Sequence, residues 1–220
     1  MWRTFLLNST AILILALPTA GLSAAFELTP RVFELTEERF GADSRNRLER
    51  WKKLLELPKN LPEQRKLLLV NSFFNQVPYA EDQDHWSQED YWATPYELLT
   101  SNGGDCEDYS IAKYFTLLRM GVPDEKLRIT YVKALKINQA HMVLAYYPTP
   151  DAEPLILDNL VNQILPASQR QDLQPVYSFN GSGLWMSKQR GEGRRIGEAS
   201  ELSKWNMMNQ RFLEQLKEAD

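Results

Sequence analysis

Gly103-Gly104-Asp105-Cys106-Glu107-Asp108-Tyr109 holds the only cysteine of the chain. An apolar run at helical spacing follows at once, Ile111, Tyr114, Phe115 and Leu118, with Gly121 and Pro123 just beyond it. The spacing predicts a helix that opens at Cys106 and is stopped by the glycine and proline. Cys106 then lies in the first helical turn, where free N–H groups and the helix dipole favour a thiolate. The two glycines allow a tight turn that brings backbone close to a substrate. Asp105, Glu107 and Asp108 work against this, because like charge raises a thiol pKa. Either the thiol stays protonated or a cation offsets the acids. Three carboxylates in four residues suit a hard cation, Ca²⁺ better than Zn²⁺. Acids also favour a helix N-terminus for its own sake.

Working outward, the strands follow this helix. Leu127–Ala134 alternates and is rich in β-formers, and His141–Tyr147 and Leu155–Asp158 read as two further strands. The stretch between these two, Pro148 to Pro154, reads as a turn. Val176–Phe179 and Leu184–Met186 flank Asn180-Gly181-Ser182-Gly183 and predict a hairpin. Upstream, residues 45–57 and 61–77 carry apolar residues at helical spacing and predict a helical hairpin packed on the core. Residues 26–44 show no clear period. Residues 78–94, with His85, Trp86 and Trp92, read as an ordered acidic and aromatic loop, its rings either walling a cleft or pinning the loop to the core. Thr94 and Pro95 mark the start of a short helix. Gln189–Arg195 is a basic loop, and residues 198–218 close the chain as an amphipathic helix. Helices followed by an antiparallel sheet make an α+β fold.

The 220 residues, 43% of them hydrophobic, are enough for one domain with a sizeable core. A net charge of −4 disfavours general nucleic-acid binding, and one cysteine rules out an internal disulfide. Residues 1–25 match a secretory signal peptide: Arg3, the apolar run Ala11–Leu17, then small residues through Ala25. Residues 26–220 form the single mature domain, with no other stretch suited to crossing a bilayer. A lone cysteine in an exported chain stays a free thiol.

A cysteine nucleophile needs a base, and the base needs an orienting group. The histidines are His85 and His141. A hairpin bend centred between Thr149 and Pro150 sets His141 opposite Asp158, with Cβ atoms about 4.5–5.5 Å apart. Cys106, His141 and Asp158 are thereby a candidate triad, against the alternatives of an inert buried cysteine and a structural cross-strand pair.

These residues resemble a known family. Cysteine at a helix N-terminus followed by histidine and aspartate on adjacent strands is similar to the papain/transglutaminase-like hydrolases. Asp90-Tyr91-Trp92-Ala93-Thr94-Pro95, Gly103–Tyr109, Ala140-His141-Met142-Val143-Leu144 and Leu157-Asp158-Asn159-Leu160 look more closely like the bacterial transglutaminase-like cysteine proteinases, the periplasmic LapG-type adhesin proteases. The resemblance covers roughly residues 40–190. It implies a papain/transglutaminase-like α+β fold, Cys106 as nucleophile, His141 as base and Asp158 as orienting group. It implies Ca²⁺ held by Asp105, Glu107 and Asp108. It further implies a periplasmic enzyme that cuts the N-terminal region of a large surface adhesin beside a paired alanine and so disperses biofilm. An inner-membrane cyclic-di-GMP receptor of LapD type would sequester it. An acyl-transferring transglutaminase and a catalytically silent binding module remain alternatives.

Overall fold

In the computed structural model, which describes residues 27–187 and 193–217, seven helices pack against one antiparallel sheet. The helices are α1 (Pro30–Phe40), α2 (Ala42–Leu55), α3 (Glu63–Phe74), the single turn α4 (Asp82–His85), α5 (Pro95–Ser101), α6 (Cys106–Arg119) and α7 (Ser203–Lys217). The strands are β1 (Leu127–Ala134), β2 (Gln139–Tyr146), β3 (Leu155–Leu157), β4 (Leu165–Pro166), β5 (Leu173–Phe179), β6 (Leu184–Met186) and β7 (Arg194–Gly197), in the spatial order β4-β3-β2-β1-β5-β6-β7. The α+β reading of the sequence holds. No helix among the described residues is long and apolar enough to cross a membrane. The signal-peptide stretch 1–25 and most of the basic loop lie outside the described residues.

Helix α6 is the centre of the molecule. Its residues from Glu107 to Leu117 are all buried, which explains why its apolar residues extend beyond one stripe. It packs on α3, α5, β1 and β2. Trp51 on α2 donates its indole N–H to the Thr116 hydroxyl at 2.9 Å, so the polar tip of a fully buried ring is satisfied inside the core. Helix α7 adds Trp205, Met208 and Phe212 to the same core, with Trp205 stacked on Phe115 at 5.6 Å.

Several sequence expectations are corrected. Residues 30–40 are helical. Thr29 caps α1 and Pro30 occupies its first turn, and the buried face is only Val32, Phe33 and Thr36, a stripe too thin for periodicity to show. The expected α2–α3 hairpin does not form; α2 packs on α1 and α5, and α3 on α6. Residues 159–175, which lie outside every strand expected from the sequence, contain β4 and the start of β5. The β2–β3 register is also displaced. Leu144 pairs with Leu157 and Tyr146 with Leu155, because the bend is centred on Pro150 and Asp151, closed by the Ala152 amide on the Thr149 carbonyl at 3.0 Å. Extending that register sets Val143, not His141, opposite Asp158.

Candidate active site

The segment before α6 is fixed from both sides. Thr94 caps α5 in a capping box with Glu97, and Asn102 ends that helix in the left-handed region at φ 58°. Gly103 and Gly104 follow, and both are needed for internal packing. A Cβ on Gly103 would lie 2.8 Å from the His85 ring, and one on Gly104 would lie 2.5 Å from the Asp108 carboxylate. His85 thus supports the turn from below, wedged edge-on against Trp86. Asp108 accepts the Ala93 amide at 2.6 Å and the Asp105 amide at 3.2 Å, which ties the loop before α5 to the first turn of α6. Trp92 is buried and stacked on Phe179 at 5.6 Å, so it pins that loop to the core while also lining the cleft.

The Cys106 thiol is half-buried at the start of α6 and donates to Glu107 at 3.0 Å. Burial, then the charges of Glu107 and Asp105, push it well above the ordinary thiol range; the Met142 backbone beside the sulfur acts in the opposite direction. Met142 directly follows His141. The cleft that contains the thiol, about 600 Å³, is lined by Cys106, His141, Met142, Asp105, Glu107, Tyr131 and Tyr177 among others.

His141 donates to or accepts from Asp158 through Nε2 at 2.8 Å, with His141 4% and Asp158 1% exposed. The displaced register makes this a diagonal contact, still within reach of an imidazole. Asp158 also accepts the Leu160 amide at 3.0 Å and the Arg170 guanidinium at 2.6 Å. Burial opposes its ionisation. The His141 bond and charge, the Leu160 amide and Arg170 outweigh that and hold the carboxyl at about 2. Arg170 was not legible in the sequence, since it lies outside every element expected there. Lys113, deep in the apolar run of α6, is a second buried cation here; burial brings it down to about 7 while Asp158 pushes it up.

Arg170→Met is expected to destabilise the fold by about 3 kcal/mol, because it leaves a buried carboxylate short of a partner. Asp158 stabilises the fold above its ordinary value near 4, and this is lost as pH falls toward 2. The acid-unfolding midpoint of the variant is therefore expected to move to higher pH, as read by circular dichroism.

The acidic cluster is larger than the sequence suggested. Ligand atoms of Asp82, Asp105 and Asp108 lie within 4.8 Å of one another, as do those of Asp82, Asp90 and Glu107 and those of Asp105, Cys106 and Glu107. Asp82 turns inward because its carboxylate accepts the Tyr91 amide at 2.5 Å. Its other oxygen and one of Asp105 are buried without a partner. Burial, then Glu107 and Asp108, push Asp105 up to about 10; burial is also the first cause of the upward shifts of Asp82, Glu107 and Asp108. Two unpartnered buried oxygens in an all-carboxylate set fit a hard divalent cation. Asp90 is held by Lys204 at 2.5 Å and sits at the rim.

Residues 45–180 match the family described as bacterial transglutaminase-like cysteine proteinase. No protein of curated function matches the chain. Among solved structures, EGTA-treated LapG of Legionella pneumophila shares 47% identity, with a TM-score of 0.73 over 83% of this chain and 96% of that one. Calcium-bound LapG from the same organism also shares 47%, with a TM-score of 0.71 over 82% and 97%. The family match spans Cys106, His141 and Asp158, and the chain belongs to the bacterial transglutaminase-like cysteine proteinases, as a cysteine peptidase of LapG type.

Proposed function

We propose that the chain is a calcium-dependent periplasmic endopeptidase that cuts the N-terminal region of a large surface adhesin near a paired alanine. Release of the adhesin disperses biofilm, and a cyclic-di-GMP receptor of LapD type holds the enzyme in check. The observation that carries the catalytic part is the His141–Asp158 bond. Nε2 is committed to Asp158, which leaves Nδ1 as the nitrogen that exchanges a proton with the thiol in the shared cleft. His141 takes the Cys106 proton as sulfur bonds to the peptide carbonyl carbon. Backbone N–H groups at the start of α6, including that of Cys106, receive the oxyanion. The C–N bond then breaks and His141 gives the proton to the leaving amine. Water, deprotonated by His141, cleaves the thioester and returns the free thiol. Asp158, locked by Arg170 and Leu160, keeps the ring in one tautomer throughout.

Asp82, Asp105, Asp108 and Glu107 are the residues that would hold calcium, and the bound ion would supply positive charge beside the thiol. The existence of a calcium-bound LapG supports this assignment. Export and receptor control rest on the sequence of residues 1–25 and on family resemblance. The test is to incubate the chain without residues 1–25 with a candidate adhesin N-terminus, with and without Ca²⁺, and to sequence the fragments. One cut beside a paired alanine, only with Ca²⁺, is expected. Incorporation of an added primary amine without a cut would replace hydrolysis by acyl transfer.

A further inference from the structure

The two faces of the sheet have different partners. Ile129, Leu144, Tyr146 and Leu157 belong to the core built around α6. The alternate residues Val132, Val143, Ala145, Tyr147 and Ile156 form a second, smaller apolar cluster on the rear face. Ala167 and Leu173, from the segment that links β4 to β5, pack against that cluster. A cavity of about 670 Å³ lies there, with these residues among its lining. Its size is that of a small-molecule site, about 300–1,000 Å³. Tyr147 forms part of its wall and is itself held by the Arg128 guanidinium, 5.4 Å from the ring centre. The cavity shares no lining residue with the cleft that contains the thiol.

The register sets this cavity behind the triad. Val132 pairs with His141 and Thr130 with Val143, and opposed residues share a face. Arg170 joins the two sites. It lines the cavity, yet its side chain is only 3% exposed. Nε and Nη2 donate to Asp172 at 3.0 and 2.9 Å, and Nη2 also donates to Asp158 at 2.6 Å. The remaining nitrogen, Nη1, is buried with no hydrogen-bond partner. A buried donor in that state calls for an acceptor. The guanidinium that steadies Asp158 from one side is therefore unsatisfied on the other, at the wall of an apolar cavity.

We infer that the rear cavity is an effector site for a small neutral acyl compound, an aliphatic chain ending in an amide carbonyl that accepts from Arg170 Nη1. The apolar floor takes the chain. The acceptor is neutral because the guanidinium already faces two carboxylates, Asp158 and Asp172, and Glu153 lines the same cavity. A third negative charge there would be repelled by all of them. The binding claim stands on the cavity alone; the effector claim rests on the protease reading. With Nη1 bonded, Arg170 is fixed from both ends and presents Nη2 to Asp158 in one geometry, which steadies His141 in turn. The ligand acts on the orientation of the triad and leaves the cleft untouched, so it raises kcat and spares KM.

The test titrates hexanamide into the ¹⁵N-labelled chain without residues 1–25, with Ca²⁺, and follows backbone amide shifts. Saturable shifts are expected at Val132, Val143, Ala145, Ile156 and residues 167–173, with a millimolar Kd as befits a fragment. Hexanoate, the same chain with a charged end, is expected to bind roughly 10-fold more weakly or worse. Arg170→Lys keeps a cation for Asp158 but deletes the Nη1 donor, and is expected to weaken hexanamide about 10-fold. Ala145→Phe fills the cavity and is expected to abolish the shifts, which decides the matter if Arg170→Lys fails to fold. Saturating hexanamide is expected to raise kcat on the mapped peptide roughly 2-fold, with KM unchanged. The binding proposal is overturned by shifts that do not saturate or fall elsewhere, by hexanoate binding as tightly, or by undiminished binding to a folded Ala145→Phe. A dimer that Ala145→Phe dissociates would give the face to a second copy and overturn it too. Saturation without a change in kcat overturns the effector role. A wild type that cuts no peptide overturns the protease reading and the effector role, while the titration still decides the site.

Discussion

Cys106→Ala is expected to lower peptide cleavage by on the order of 10⁴-fold or more and to leave the fold intact. The size of the effect follows from the role: without sulfur there is no acyl-enzyme, and the oxyanion donors that remain act on a reaction with no nucleophile. Structural cost is small because the thiol is half-buried and its side chain is not part of what holds α6 in place. That task falls to Asp108 through the Ala93 and Asp105 amides, and to the buried face of α6. Loss of the sulfur also removes its bond to Glu107. The thermal midpoint is expected to stay within a few degrees of wild type, since about 1 kcal/mol corresponds to 2–4 °C in a chain of this size. The chain has one cysteine, so iodoacetamide must label wild type once and the variant not at all. Full cleavage by a folded Cys106→Ala would remove the thiol from the mechanism.

Some of this was legible in the residues and some was not, for physical reasons. β1 could be bounded to the residue, because alternation and β-rich composition both run from Leu127 to Ala134. Helix α6 was legible because glycine, acid and apolar spacing agree. The His141–Asp158 contact was anticipated from a register that proved wrong by one residue at the bend; the diagonal geometry rescued the contact, since both side chains still share a face. Arg170 and Lys113 were hidden because nothing local distinguishes a buried cation from a solvated one; only the position of Asp158 gives them meaning. Asp82 was hidden in a stretch with Glu81, Asp84, Glu89 and Asp90, from which composition cannot select it. The Tyr91 amide selects it, and that amide is placed by tertiary structure.

Excess EGTA is expected to abolish cleavage, and added Ca²⁺ to restore it, because burial and the acids around Cys106 otherwise keep the thiol protonated and the segment 81–108 short of a cation. Binding to the folded state alone raises stability by about 2.7 kcal/mol at a hundredfold excess over Kd, or roughly 5–10 °C. Asp82→Asn separates this from a general effect of salt. Without calcium the variant is expected to be slightly more stable than wild type, because one member of a buried like-charged set is neutralised. With calcium it is expected to bind roughly 10–100-fold more weakly, since one charged oxygen donor becomes neutral and an amide nitrogen replaces its partner. The two stability curves therefore cross as calcium is raised. Asp43→Asn, at an exposed acid on α2 that is not a member of the cluster, is expected to leave the calcium increment unchanged. Parallel curves for Asp82→Asn and wild type, or full cleavage in excess chelator, would place the ion elsewhere or remove it from the enzyme.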